Sequence, residues 1–283
     1  MSDYKQIHWY PGHMAKTKRI IGESLKLVDI VLEVLDARIP ESSRNPDIDE
    51  LLTSKPRIIL LNKSDMSDPE YNRKWQEYYE RFGHCTVLTD SAHGAGIDGI
   101  VPAAKGILKE KLYRDAQKGV KKAVKIMVVG VPNVGKSSFI NRFVKSKKSK
   151  VEDRPGVTRD KHWIRPGNGI ELLDTPGVLW PRFDNPETAQ NLAFTGAVKD
   201  DVMEQQEISV LLLEKLALLY PGVIFSKYKA EESEDGFAVL CSIAKSRGLL
   251  IRGGEPDLER ASTLLLHDFR NAAIGKITLE RPA

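Results

Sequence analysis

Short apolar runs alternate with amphipathic stretches along the first 180 residues, and the two periods predict alternating strands and helices. Val28–Asp36, Pro56–Leu61 and Val124–Val129 are dominated by Val, Ile and Leu, the pattern of strands buried in a parallel sheet, and Thr86–Thr89 reads as a further strand. Ahead of the first strand, apolar spacings of three and four predict a helix ending near Leu27, with Met14, Ile20, Ile21 and Leu25 on its apolar side. Further helices are expected over Ile48–Leu52, Pro69–Phe82, 97–113 and Ser137–Val144. Lys161–Arg165 and Ile170–Leu173 flank the turn Pro166-Gly167-Asn168-Gly169 and read as a hairpin. From residue 181 only helical periodicity remains, over Pro186–Ala197, Glu207–Tyr220, Phe237–Arg247 and Asp257–Asn271, before a short extended tail at Ile277–Glu280. The expected architecture is α/β, a mostly parallel sheet with helices on both faces over residues 1–181. A small all-helical domain over 182–283 follows.

The loops between these elements carry the chemistry. The strand at Val124–Val129 breaks at Gly130 and runs through Gly130-Val131-Pro132-Asn133-Val134-Gly135-Lys136-Ser137 into a helix. This is Gly-x-x-x-x-Gly-Lys-Ser in the strand–loop–helix context of a phosphate-binding loop, a context that a chance glycine turn lacks. The glycines let backbone N–H groups from Asn133 to Ser138, through Val134 and Gly135, curl around phosphate oxygens, and the helix adds its positive end. Lys136 would reach the β- and γ-phosphates, and the Ser137 hydroxyl would ligate Mg²⁺.

A second motif follows Leu61: Asn62-Lys63-Ser64-Asp65, of the form Asn-Lys-x-Asp. Alone it could be a polar turn; beside a phosphate loop it points to guanine. Asp65 would accept from guanine N1–H and the 2-amino group, Asn62 would bond the opposite edge, and the Lys63 stem would stack on the base. Adenine would leave Asp65 facing an acceptor, a mismatch that can reject the wrong base by up to roughly 10⁴-fold. Asp90-Ser91-Ala92-His93-Gly94 fits the loop whose amides, at Ser91 and Ala92, hold guanine O6.

Past the phosphate loop, Thr158 in Gly156-Val157-Thr158 is the candidate switch threonine for Mg²⁺ and the γ-phosphate. Asp174-Thr175-Pro176-Gly177 matches Asp-x-x-Gly, with Asp174 holding Mg²⁺ through water and the Gly177 amide on the γ-phosphate. Guanine recognition thus precedes phosphate binding in the chain, the reverse of the usual GTPase order. Joining the old termini and opening the chain elsewhere preserves the same contacts, so a circular permutation explains the order. One consequence is mechanical: the segment after Gly177 leads straight into residues 181–283.

Composition narrows the class further. A hydrophobic fraction of 41% with 29% charged residues is globular. The longest apolar stretch, Ile208–Tyr220, is interrupted by Glu214 and Lys215, and Met1–Tyr10 lacks the apolar core of a signal peptide. Cys85 and Cys241 have no metal-type spacing and read as reduced thiols, so a cytoplasmic protein with no membrane partner is expected. Residues 181–283 hold 12 Lys/Arg against 16 Asp/Glu, leaving 31 against 23 of the totals 43 and 39 to the first 180. That basic first portion suggests an anionic macromolecular partner. Arg142–Lys150, with five Lys/Arg, reads either as a solvated helix end or as a nucleic-acid contact.

The sequence resembles the circularly permuted GTPases of ribosome assembly. The match is carried by Trp9-Tyr10-Pro11-Gly12-His13-Met14-Ala15-Lys16, Asp36-Ala37-Arg38-Ile39-Pro40, Ser42-Ser43-Arg44-Asn45-Pro46, Asn62-Lys63-Ser64-Asp65, the phosphate loop with Pro132-Asn133, and Asp174-Thr175-Pro176-Gly177-Val178-Leu179-Trp180-Pro181. It covers the first 200 residues densely and the helical remainder more loosely. The resemblance implies a GTPase, slow alone, that binds precursors of the large ribosomal subunit and their ribosomal RNA, in part through the helical domain. Hydrolysis of GTP to GDP would be stimulated by the particle and drive release; no DNA partner is expected. The alternative is a GTP-gated RNA-binding module whose own hydrolysis is incidental.

Many GTPases place a glutamine directly after Asp-x-x-Gly to orient the attacking water. Here that position is Val178, which cannot hydrogen-bond water. Two candidates besides Lys136 serve catalysis. Asn133 occupies a position resembling that of potassium-dependent GTPases, where the amide oxygen helps hold K⁺; the bland reading is that it stabilises the loop turn. The resemblance gives His13 a role in orienting water, although the residue reads equally as an RNA contact or a helix cap.

Overall fold

The structure, a computed structural model, describes residues 19–52, 55–120, 122–146, 162–167, 169–175, 177, 179, 185–198, 204–231 and 233–283. His13, Thr158, Val178 and the part of the basic run beyond Ser146 lie outside the described residues.

In chain order the first part holds α1 (19–25), β1 (Ile30–Asp36), α2 (Pro46–Leu52), β2 (Arg57–Asn62), α3 (Pro69–Arg81) and β3 (Cys85–Thr89). Next come α4 (Ile100–Ile107), α5 (Lys109–Gln117), β4 (Val124–Val129), α6 (Lys136–Ser146), β5 (His162–Gly167) and β6 (Ile170–Asp174). The strands form one six-stranded sheet in the order β3-β2-β1-β4-β6-β5, parallel except for the β5–β6 hairpin. Every residue of β1 is buried, because strands lie on both sides and helices on both faces. Ile30, Leu32 and Val34 pack into one apolar cluster, while Val31 joins Ile21, Leu25, Met127 and Leu173 on the opposite side, the two-residue period of a strand.

The chain moves outward from β1 to β3, then returns to place β4 on the other side of β1. The switch in strand order therefore falls between β1 and β4, where the carboxyl ends of neighbouring parallel strands open a crevice. The loops after β1, β2, β3, β4 and β6 all leave from that edge, and they include all the described candidate motifs.

Some boundaries differ from expectation. The single helix expected over 97–113 is a 3₁₀ turn at Ile97–Gly99 followed by α4 and α5, which break at Leu108 (φ −92°, ψ 11°) just past Gly106. Glycine weakens the last turn of α4, and the second helix restarts from Lys109 and runs to Gln117. In the hairpin, Gly167 itself pairs with Ile170, and the register shifts between Ile164 and Gly167.

The last third holds α7 (Pro186–Phe194), α8 (Gln205–Leu219), α9 (Val223–Tyr228), α10 (Gly236–Ser246) and α11 (Leu258–Arg270). The six-residue α9 is absent from the sequence reading, being too short to show periodicity; left-handed Gly222 and Lys229 bound it. One continuous apolar cluster contains sheet residues such as Leu32 and Val128 together with Leu192, Leu212, Leu240, Leu265 and Leu279. The tail after α11 returns to the sheet: Ile277 N–H donates to Met66 O (3.2 Å) and Leu279 N–H to Arg38 O (2.8 Å). Glu280, whose carboxyl is pushed up by burial, accepts from Glu41 N–H (2.7 Å), Ser42 N–H (3.0 Å), the Ser42 hydroxyl and Asn191 Nδ2 (2.9 Å).

Candidate nucleotide site

The loop after β4 is shaped by close approaches. A Cβ on Gly130 would collide with the Val34 carbonyl oxygen of β1, and one on Gly135 (φ 96°) with Nδ2 of Asn62. Asn133 holds a left-handed conformation (φ 60°), which asparagine tolerates better than most residues. Lys136 folds back over its own loop, its Nζ donating to Gly130 O (2.8 Å) and Val131 O (2.7 Å). Burial pulls its ammonium down to about 8, against the opposing charge of Asp174. Ser137 and Ser138 are exposed in the first turn of α6, where the helix presents its positive end.

Asp174 ends β6, and the Thr175 hydroxyl next to it donates to Val128 O (2.6 Å), pinning β6 to β4. Burial raises the Asp174 carboxyl, with Lys136 and His162 opposing. Gly177 lies against the phosphate loop so closely that a Cβ there would come within 2.8 Å of Lys136 Nζ and 3.1 Å of Pro132 N. Asp174, Gly177 and the loop are therefore one locus.

The base-reading motif abuts this locus. Asn62 is almost fully buried, and its Oδ1 accepts from Ser91 N–H (3.1 Å), Ser91 Oγ (2.7 Å) and Thr89 Oγ1 (3.3 Å). Its Nδ2 donates one hydrogen to Val134 O (2.7 Å), which leaves the other for a ligand. Asn62 thus ties the loop after β3 to the phosphate loop. Lys63 (φ 59°) extends across the site, Nζ donating to Asp36 Oδ2 (2.9 Å) and Asn133 O (2.6 Å). Burial lowers its ammonium, opposed chiefly by Asp36. Asp65 is half-exposed and, among the described residues, receives no hydrogen bond; a carboxylate oxygen of it lies within 4.8 Å of the Asp90 carboxylate and the His93 ring. In the loop after β3, burial would raise Asp90, but hydrogen bonds from the His93 backbone and ring (3.0 and 2.7 Å) and from Ala92 N–H (2.9 Å) hold it below its ordinary value. The Ala92 carbonyl accepts from Arg142 of α6.

Three features escape a motif reading. The Asn133 side-chain amide donates to the Gly196 carbonyl, joining the phosphate loop to the turn after α7. Asp36 and Arg38 form a fully buried ion pair at the end of β1 (2.8 Å), where a nonpolar strand end would otherwise be expected. The sequence marks Asp36-Ala37-Arg38-Ile39-Pro40 as a run that carries the resemblance, but an Asp-x-Arg at the end of a buried strand does not by itself reveal the pair's partners. Last, the C-terminal tail braces the loops that follow β1 and β2, the second of which begins with the base motif.

A phosphate loop, an Asn-Lys-x-Asp strand end and an Asp-x-x-Gly segment, converging at one edge of a sheet in reversed chain order, define a circularly permuted P-loop GTPase. A family model described as 50S ribosome-binding GTPase matches residues 125–231. The chain is 45% identical over 280 residues to the ribosome biogenesis GTPase A of Priestia megaterium, covering 98% of this chain and 97% of that one. Its identity to the Thermotoga maritima protein of the same name is 32%, over 97% and 94% of the two chains. The crystal structure of GNP-bound YlqF from T. maritima superposes with a TM-score of 0.66 at 30% identity, over 94% of this chain and 98% of the other. The chain belongs to the ribosome biogenesis GTPase A family. It binds guanine nucleotide and hydrolyses GTP. Among the described residues, no helix is long and apolar enough to cross a membrane.

Proposed function

We propose that the protein acts in the cytoplasm on precursors of the large ribosomal subunit, binding their ribosomal RNA, and that GTP hydrolysis drives its release. The observation that carries this reading is the direct junction of base motif and phosphate loop through Asn62 and Lys63, in a chain whose relatives are named for ribosome biogenesis. In this reading Asp65 selects guanine, with Asn62, Ser91 and Ala92 framing the base and the Lys63 stem covering it. Backbone N–H groups from Asn133 to Ser138 cradle the phosphates, and Lys136 neutralises charge on the β- and γ-phosphates.

Ser137 and Asp174 suit a cation, since one is an exposed hydroxyl and the other a carboxylate that burial leaves in need of a counter-charge. With Thr158 they would hold Mg²⁺, and Asn133 Oδ1 would hold K⁺; bound there, both ions would supply positive charge near the junction of the β- and γ-phosphates, where negative charge develops on the leaving diphosphate. Gly177 would contact the γ-phosphate, and His13 would orient water in place of the missing glutamine. The division into a GTPase domain (1–181) and an RNA-binding helical domain (182–283) belongs to the same reading.

Single-turnover hydrolysis tests it. Purified large-subunit precursors should accelerate GTP cleavage and lose the protein as GDP forms, in K⁺ more than in Na⁺ at matched ionic strength. His13→Ala should bind GTP and particles normally while stimulated turnover falls by roughly 10²-fold or more. Particles that bind the protein without changing its rate would instead favour a GTP-gated RNA-binding module.

A further inference from the structure

The ion pair at the end of β1 lies between the nucleotide site and the helical region. Arg38 is 1% exposed and gives a fork to one carboxylate, Nε to Asp36 Oδ1 (3.0 Å) and Nη2 to Asp36 Oδ2 (2.8 Å). Its remaining arm, Nη1, donates to the carbonyls of Phe269 and Arg270 at the C-terminal end of α11 (both 3.3 Å), where the helix dipole is negative. The Phe269 ring lies 5.4 Å from the guanidinium carbon, and the Arg38 carbonyl is held by the tail through Leu279 N–H. Arg38 therefore has no freedom to follow its partner; the partner is fixed by Arg38.

Asp36 passes that constraint on. Its Oδ2 also accepts from Lys63 Nζ, which reaches the Asn133 carbonyl of the phosphate loop. Burial would raise the Asp36 carboxyl, but Arg38 and Lys63 hold it far below the usual carboxylate range, so it stays charged. Next to it, Ala37 N–H donates to Asn62 O (2.8 Å), the first residue of the base motif. Without the carboxylate, Lys63 and Arg38 would be two neighbouring cations in a poorly solvated space, each repelling the other. Lys63 would leave the Asn133 carbonyl, and the base and phosphate halves of the pocket would lose their common strut.

We propose that Asp36 and Arg38 are positioning residues of the nucleotide site: Arg38, clamped by the carbonyl end of α11, orients Asp36, which holds Lys63 across the base and against the phosphate loop. The proposal rests on the nucleotide-site reading above and assigns a role to two residues that would touch no nucleotide. Both GDP and GTP use the strut, so both affinities depend on it.

A double-mutant cycle on the full-length protein tests it, with affinities for fluorescent GDP and GTP analogues measured by titration. Asp36→Asn should weaken both nucleotides by about tenfold or more. Lys63→Met should weaken them as well, and adding Asp36→Asn to Lys63→Met should cost less than about twofold further, because the strut is already gone. Equal losses in the two backgrounds, or unchanged affinity in a folded Asp36→Asn protein with only a lower Tm, would overturn the proposal by making the pair merely structural. If Asp36→Asn does not fold, Arg38→Lys, which keeps the cation but not the fork, is read in the same two backgrounds with the same criteria. Wild-type protein binding GDP no better than ADP would overturn the nucleotide-site reading itself, whereas normal GDP selectivity with an additive cycle would overturn the positioning role alone.

Discussion

Asp65 differs from its neighbours in what it lacks: Asn62 and Lys63 spend most of their hydrogen-bonding capacity on protein, whereas nothing among the described residues donates to the Asp65 carboxylate. A ligand with two adjacent N–H donors fits that carboxylate. Replacing it by an amide exchanges one acceptor for a donor, which suits the 2-oxo group of xanthine. Asp65→Asn is therefore expected to weaken GDP binding by roughly 10²-fold or more while improving XDP binding, both read by competition titration. Unchanged GDP affinity with no gain for XDP would show that Asp65 does not read the base. Gly135 sets the other limit at this scale. Its left-handed φ of 96° and its closeness to Asn62 leave room for hydrogen only, so the residue that frames the phosphates also decides where Asn62 sits.

Among the elements, α3 shows how a helix start is shared between regions. Asp68 caps it, Oδ1 accepting from Glu70 N–H (2.8 Å), with Pro69 at the first helical position. The same side chain accepts from Tyr220 OH at the end of α8 (3.2 Å), and its own N–H donates to Thr278 Oγ1 in the tail (3.1 Å). α7 carries a simpler cap, Asn185 Oδ1 accepting from Glu187 N–H (2.9 Å) in an exposed position. Asn185→Ala should cost about 1 kcal/mol, the ordinary value for a lost cap. Asp68→Ala should cost about 2 kcal/mol, because the bond from the Tyr220 hydroxyl is lost as well, although that hydroxyl keeps the Thr278 carbonyl (3.2 Å) and N–H (3.0 Å) as partners. Urea titrations of both variants decide the point: equal losses would mean that the Tyr220 bond contributes nothing.

For the whole molecule, the shared apolar cluster and the tail bonds join the helical region to the sheet, and the expected consequence is that the two unfold together. All four tryptophans (Trp9, Trp75, Trp163 and Trp180) lie in the first 180 residues, whereas much of the helix follows them. Tryptophan fluorescence and far-ultraviolet circular dichroism should therefore report one common thermal midpoint. GDP at about 100 times its Kd should raise both midpoints together, by the equivalent of about 2.7 kcal/mol at ordinary temperature. A helical transition separate from the fluorescence transition and indifferent to GDP would show that the last third folds alone.

The sequence by itself determined the strands, since β1, β2 and β4 are short runs that burial on both faces makes mainly apolar, with charged exceptions such as Glu33 and Asp36, and it determined the loop chemistry at their ends. Both are local properties: a strand end, a glycine turn and a following helix lie within a few residues of one another. The reversed motif order also needed no coordinates. Tertiary structure alone decided how those loops meet. Asn62 bonds Val134, 72 positions away, and Arg38 bonds Phe269 and Arg270, more than 200 positions away. No periodicity or motif spacing encodes such pairs, because they follow from where the sheet order and the returning tail bring distant carbonyls. The six-residue α9 and the break at Leu108 were also beyond a pattern reading, for they rest on one or two backbone conformations that neighbouring packing selects.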